Sequence, residues 1–257
     1  MATLVYLNNW HQAWGTQGYF AALNTPRPLL HTWSLSIEEQ FYILWSLAMV
    51  VAVALHKRRL AYGFAIAGLV LSTADRVWLT LHGHFTSMVF TRVYYAFDTR
   101  ADALFLGCLL GLMAADGLFD GWPRWGRRLI TAAAAASALF LCWILVYAPL
   151  FTRDLALWWL PTTTVASAVL LTYFVICPTS LGSKFVGLGV LVFIGDLSYT
   201  IYLVHFPVYL ALEPSTTGWG FWPNELARLV VVFAIGIASW FLIEKPLAAW
   251  RQRSAQR

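Results

Sequence analysis

The stretch HTWSLSIEEQFYILW, residues His31 to Trp45, sets two adjacent glutamates, Glu38 and Glu39, against an aromatic and apolar run that continues to Leu55 without another formal charge. A bilayer core of about 30 Å takes roughly 20 mostly apolar residues, so this run reads as one membrane helix with acids at its mouth. The rest of the chain agrees with that reading. Of its 257 residues, 60% are hydrophobic and 11% charged, whereas soluble domains are about a quarter charged. The expected fold class is therefore all-α, a polytopic membrane helix bundle, with too little length for a large soluble domain as well. Cys108, Cys142 and Cys177 each lie in apolar stretches, as small buried hydrophobes do, and argue against a disulfide framework. The net charge of +5 collects in short loops and in the tail, which is a topology signal and not a nucleic-acid one.

Seven membrane helices are expected, at about 37–55, 60–81, 97–115, 129–151, 155–177, 186–212 and 226–244. Basic clusters fall at alternate turns: His56–Leu60, Arg124–Arg128, Lys184 and Lys245–Arg257. By the bias of Lys and Arg toward cytoplasmic loops, those segments face the cytoplasm and the remaining loops face out. Residues 1–257 are expected to form a single membrane domain, with 245–257 as a basic cytoplasmic tail. No internal repeat and no signal peptide is expected, since Met1–Leu7 lacks a basic n-region.

Ionisable residues at membrane depth cost a few kcal/mol each and mark functional sites by default. Three constellations stand out. Ser36-Ile37-Glu38-Glu39 fits a capping box, in which Ser36 accepts from the amide of Glu39 and Glu39 reaches back to the amide of Ser36. A cap does not account for His31, Trp33, Ser34 and Gln40 beside it, with Ser34 and Glu38 one turn apart. In DTRADALFLGCLLG, Asp98 to Gly111, Asp98 and Asp102 are four apart, so they repel unless a cation from another helix compensates, with Arg100 and Arg76 the nearest candidates. An interhelical ion pair that fixes packing is the plain alternative to a functional role. In GDLSYTIYLVHFP, Gly195 to Pro207, Ser198, Tyr202 and His205 share a helix face that in lipid should turn to the bundle interior, with Tyr199 and Phe206 on the adjoining face. A lone membrane histidine is more often a packing element than a catalyst. The positive-inside count sets all three motifs toward the outer side, where acids, a histidine and hydroxyls suit general acid/base chemistry on a hydroxyl nucleophile.

The stretches LLHTWSLSIEEQFYILW, DTRADALFLGCLLG, LSYTIYLVHFPV and LIEKPL resemble, in order and spacing, the bacterial membrane acyltransferase family 3. Its members O-acylate surface polysaccharides, lipopolysaccharide O-antigens, peptidoglycan and some macrolides. The stretch Leu4 to Trp14 is similar to the family's segment just after its third membrane helix. Members typically have ten helices and carry in the first an arginine followed eleven residues later by a histidine central to catalysis; no Arg here has a His eleven positions on. The resemblance thus implies the last seven helices of the family fold, without its first three.

By that resemblance, the expected reaction is transfer of an acyl group, usually acetyl from acetyl-CoA, to a hydroxyl of a cell-surface carbohydrate. The protein would lie in the bacterial inner membrane among its lipids, with no bound cofactor and no metal. The catalytic candidates are Glu38, Glu39, His205 and Asp102. His31, Ser34, Asp98, Arg100, Ser198, Tyr199 and Tyr202 are the binding or supporting ones, Arg100 balancing Asp98 and Asp102. The basic inner loops are candidates for the CoA phosphates. Two other readings stand beside this one: a transporter or channel, since intramembrane charges also mark solute paths, and a catalytically inactive family member. Oligomeric state is not legible.

Overall fold

A computed structural model describes residues 2–15, 28–82, 84–149 and 151–255. Among these there is no strand. Six helices are long and apolar enough to cross a membrane, which makes the chain a multi-pass membrane protein. The chain divides into two compact units, Met1–Thr25 with Thr32–Ser183, and Pro26–His31 with Lys184–Arg257.

In the first unit, a short helix α1 (Asn8–Ala13) precedes α2 (Trp33–Ala54) and α3 (Arg58–His82). Then come α4 (Ser87–Tyr95), the single turn α5 (Phe97–Arg100) and α6 (Asp102–Ala115). The unit continues with α7 (Arg124–Tyr147), a π-helical turn Leu155–Trp159, α8 (Leu160–Ile176) and α9 (Leu181–Val186). The expected third span, 97–115, is interrupted at Ala101, which leaves α6 as a 14-residue apolar helix and not a full crossing. Thr86 caps α4 by accepting from the amide of Val89 at 3.4 Å, the short polar side chain satisfying a donor that the helix itself cannot.

The sequence of α3 explains how its neighbours approach. Its buried residues, Ala61, Ala65, Ser72, Arg76 and Thr80, follow the 3.6-residue period along one stripe, with Gly68 filling the gap between Ala65 and Ser72. Small side chains let helices in lipid come close, where dispersion and hydrogen bonds replace the hydrophobic drive available in water. Phe105 of α6 uses that opening. It is 7% exposed, packed edge-on to Phe41 of α2 at 5.0 Å between centroids and ringed by Trp45, Leu69 and Cys108. A second cluster joins Ala13, Tyr95 and Ala96 with Trp10, Trp33 and Tyr94.

The second unit contains α10 (Gly189–Ala211), the turn α11 (Pro214–Thr217) and α12 (Phe221–Ser239). A π-helical turn Trp240–Glu244 runs on into α13 (Lys245–Ala255). Gly218, at φ +69°, ends α11 in the left-handed region that glycine adopts without a Cβ penalty. The buried residues of α12, Asn224, Arg228, Val232 and Gly236, recur every four positions. That stripe packs on α10, where Gly236 sits against Ile201.

Two expectations need correction. The first long helix starts at Trp33 after a 3-10 turn, so the amide of Ser36 lies inside the helix and cannot serve a capping box. Ser36 instead donates its hydroxyl to the carbonyl of Thr32 at 3.3 Å. Cys108 and Cys177 are half-buried but Cys142 is exposed, on a helix face that no described residue covers.

The close approach at Gly68 is directly testable. A Cβ there would overlap the ring of Phe105, which packs against Phe41 and Leu69 and must shift to make room. Gly68→Ala should cost about 1–3 kcal/mol of stability in detergent by denaturant titration, the usual penalty of overpacking. Gly63→Ala on the same helix meets nothing within 4 Å and should gain up to about 1 kcal/mol from helix propensity.

Candidate functional site

Around the start of α6 the charged residues resolve into two separate groups; a further ion pair, Arg58 with Asp116, lies elsewhere in the unit. Arg76 is fully buried, and its Nη1 lies 2.8 Å from Asp102 Oδ2 and donates to the carbonyl of Thr99 at 3.0 Å. Ser72 Oγ accepts from the backbone amide of Asp102 at 3.1 Å, so α3 holds the start of α6 by a side-chain ion pair and a backbone bond together. Arg92 of α4 grips Asp98 with both nitrogens, at 2.6 and 2.5 Å, and approaches Asp75 at 3.8 Å. This bidentate geometry suits the planar guanidinium. Asp98 and Asp102 thus tolerate their spacing because each has its own arginine and the helix breaks between them at Ala101.

The expected balancing role of Arg100 is not what the structure shows. Arg100 makes no ion pair with either aspartate and lies over the ring of Tyr94, at 5.5 Å from its centroid. The partner chosen for Asp98, Arg92, lies on a helix that sequence reasoning did not place as a separate element.

Around the opening motif, the side chain that is fully used is Gln40. Its Nε2 donates to the carbonyl of Tyr6 at 2.7 Å and to Asn9 Oδ1 at 2.9 Å. Its Oε1 accepts from Trp10 Nε1 at 3.1 Å and from Asn9 Nδ2 at 3.4 Å. Asn8 donates to Thr32 Oγ1 at 3.1 Å. Asn8 and Asn9, both buried, escaped sequence reasoning, although two amides flanked by tryptophan in an apolar chain were a usable signal. Ser34, Glu38 and Glu39 are all half-buried on α2. Neither glutamate has an ion pair or hydrogen bond among the described residues, so the acids at the mouth of the span stand without a structural partner.

In the second unit, His31, Tyr202, His205 and Phe206 form a ring cluster. The His31 ring lies 4.9 Å from that of His205, 5.2 Å from Tyr202 and 5.3 Å from Phe206. The Tyr202 hydroxyl donates to the carbonyl of His31. His205 Nδ1 is 2.6 Å from the carbonyl of Tyr202, which assigns the proton to Nδ1 and leaves Nε2 as the basic nitrogen. Both ring nitrogens of His31 are buried and without a hydrogen-bond partner among the described residues. A buried polar atom without a partner costs about 1–3 kcal/mol, and a pair of them on one imidazole marks a place where a further polar group fits.

The anticipated stripe of Ser198, Tyr202 and His205 does not act as one face. Ser198 is exposed, and so is Tyr199, at 54%. The side of α10 presented to α12 carries Leu197 and Thr200 instead. Thr200 donates to Glu244 Oε1 at 2.6 Å, and Ser239 donates to the same oxygen at 3.1 Å. Glu244 belongs to the LIEKPL stretch and sits in the π-helical turn, which moves its side chain off the regular α register. Arg228, nearly buried, donates to the carbonyls of Leu212 and Tyr209 at 3.0 Å each, satisfying acceptors that the end of α10 leaves open.

No group of three or more His, Cys, Asp or Glu placed to hold a metal ion occurs among the described residues.

Fold and polar groups together define a multi-pass helical membrane protein with paired charges and a histidine cluster at span depth. A family model described as an acyltransferase domain matches residues 1–245, and the chain belongs to that family. It is 30% identical to the putative peptidoglycan O-acetyltransferase YrhL of Bacillus subtilis over 271 aligned residues, covering 100% of this chain and 40% of that protein. Against the peptidoglycan O-acetyltransferase OatA of Listeria monocytogenes it is 30% identical, covering 96% of this chain and 39% of the relative. With the O-acetyltransferase OatA of Staphylococcus aureus the identity is again 30%, over 81% of this chain and 34% of the relative. The chain thus spans well under half the length of these curated relatives. No solved structure matches it significantly.

The double acceptor at Glu244 carries its own test. Glu244→Leu removes the acceptor of two hydroxyls, one of them on the buried Thr200, and should cost about 1–3 kcal/mol. Glu244→Gln keeps an acceptor oxygen and should lose less than half of that, both read from thermal unfolding in detergent.

Proposed function

We propose that this chain carries an O-acyltransferase centre that moves an acyl group, acetyl by preference, from acyl-CoA to a hydroxyl of a cell-surface carbohydrate in a bacterial membrane. Family membership supports the reaction class, and the names of the relatives support peptidoglycan as the acceptor. The observation that carries the site assignment is the tautomer of His205. With Nδ1–H engaged by the Tyr202 carbonyl, Nε2 is free to accept a proton, as a general base must.

On this proposal the acyl group crosses the bundle from the cytosolic donor, either within a pore with its thioester intact or on a covalent intermediate. In the first case His205 takes the proton of the acceptor hydroxyl while that oxygen attacks the acyl carbonyl carbon. A C–O ester bond forms, the C–S thioester bond breaks, and the leaving thiolate takes up the proton. His31, with its two unpartnered nitrogens beside His205, orients a hydroxyl or a carbonyl oxygen. Glu38, an acid at span depth without a partner, is assigned to proton handling, with Glu39 beside it. Asp102 acts through Arg76 as a positioning residue, and Ser34, Asp98, Arg100, Ser198, Tyr199 and Tyr202 remain candidates for support. We further propose one acyltransferase domain with a basic tail over 245–257, the C-terminus cytoplasmic so that the basic loops meet the donor.

The experiment is acyl transfer from labelled acetyl-CoA to isolated peptidoglycan by membranes holding the 257-residue chain. Label should appear in base-labile ester, and His205→Gln should lower the rate by about 10²-fold or more, the usual contribution of a general base. Normal transfer by His205→Gln would remove the histidine from the mechanism. Solute movement without label transfer would favour a transporter, and neither activity an inactive family member.

A further inference from the structure

A groove between α6 and α8 in the first unit starts beside Arg100 and Asp102 and runs away from them along the two helices. It has a polar upper part, a cavity of about 250 Å³ lined by Arg100, Asp102, Thr164 and Ser167 among others. A second cavity of about 350 Å³ continues it down the same two helices, sharing Gly107, Leu110 and Leu171 and reaching Phe119 and Val175. Counting from Asp102 to Ala114, the groove follows α6 for about 18 Å at 1.5 Å per residue. That exceeds the depth of one leaflet, about 15 Å of hydrocarbon.

The polar end has surplus donors around a guanidinium that no carboxylate grips. Asp102 pairs with Arg76, and Asp98 and Asp75 share Arg92, so Arg100 has no ion pair of its own and is attracted by Asp102 only from beyond ion-pair distance. Tyr94 holds its guanidinium from one side, and its N–H groups have no acceptor among the described residues. The hydroxyls of Thr164 and Ser167, one turn apart on α8, likewise make no hydrogen bond to another described residue, whereas Thr163 spends its own on the carbonyl of Trp159 at 2.6 Å. Unsatisfied donors around one guanidinium are the chemistry of a phosphate site. Below them the lining is leucine, glycine, alanine, valine and aromatic carbon, with Thr172 spending its hydroxyl on the carbonyl of Ala168 at 2.8 Å. Gly107 and Gly111 form an open floor there, since a Cβ at either meets nothing within 4 Å.

We propose that this groove binds one membrane phospholipid, its phosphate held by Arg100, Thr164 and Ser167 and one acyl chain lying over Gly107 and Gly111. The apolar lower half selects a hydrocarbon chain over the pantetheine arm of coenzyme A, whose two amides would be buried there without partners at a cost of about 1–3 kcal/mol each. Charge complementarity at one end and a dry channel at the other describe an amphiphile, and the bilayer supplies one at high concentration.

The test is native mass spectrometry of the delipidated 257-residue chain in detergent, titrated with phosphatidylglycerol or with diacylglycerol of the same chains. The expected result is one bound phosphatidylglycerol and at least tenfold weaker diacylglycerol, which lacks only the phosphate headgroup. Arg100→Gln should weaken phosphatidylglycerol about tenfold, as loss of a charged hydrogen bond does, and Arg100→Lys should fall between. Gly107→Phe, which fills the shared waist from an open position, should abolish the one-to-one complex. Should Arg100→Gln fail to fold, Ser167→Leu and Gly107→Phe carry the same prediction. Equal binding of diacylglycerol, an unaffected Gly107→Phe complex, or no retained lipid would overturn the proposal. Displacement of the lipid by coenzyme A or by inorganic phosphate would also overturn it and assign the groove to a soluble phosphate ligand.

Discussion

The buried pair of Arg76 and Asp102 is the constraint on which the first unit is built. A guanidinium with no exposed surface inside a 25-residue apolar helix is stable only if its charge is matched on the spot. Asp102 matches it from the first residue of α6, and Thr99 adds a carbonyl from the turn before. Helix α3 is made of alanine, glycine and serine on that side so that α6 can come near enough for the pair to close. The break at Ala101 follows from the same demand, because it lets Asp102 face Arg76 while Asp98 turns to Arg92. One electrostatic requirement therefore explains a helix interruption, a stripe of small residues and the placement of the charged pairs.

The second unit is organised chiefly by hydrogen bonds, with one ion pair, Arg228 to Glu225, among its described residues. Glu244 accepts from two hydroxyls on two helices, and Arg228 closes the carbonyls at the end of α10. These contacts fix α10 against α12, and with it the orientation of Tyr202 and His205. The carbonyl of Tyr202 holds His205 in one tautomer, with its proton on Nδ1. Wide exposed faces of leucine, valine and tryptophan on the long helices are what lipid would cover, and on a membrane protein they need no aqueous partner.

Much of the architecture was legible because hydropathy reports spans directly. Six of seven expected spans are full-length helices, and the seventh, around Asp102, is the one whose uncharged part is shortest. Family membership was equally legible from four ordered stretches. Pairing was not. Arg92 and Asp98 are six residues apart across a helix boundary, and nothing in the spacing shows where that boundary falls. The capping-box reading of Ser36 failed because the 3-10 turn Leu30–Thr32 starts the helix a turn early. On α10, hydroxyls occur on two faces, Ser198 and Tyr202 on one and Thr200 on the other. The choice between them depends on Glu244, forty-four residues away, and periodicity carries no information at that distance. The density of polar groups around His31 did point to a real cluster, though its histidine joins His205 and not the glutamates that come after it in sequence.

The claim that the Arg76–Asp102 pair organises the first unit is tested most directly by a double-mutant cycle of Arg76→Leu and Asp102→Leu. Stability would be measured by denaturant unfolding in detergent. Each single substitution strands a buried charge and is predicted to cost about 3–5 kcal/mol, while the double variant recovers most of that loss. Single variants within about 1 kcal/mol of the parent, or a double variant whose loss is simply the sum of the two, would contradict the account.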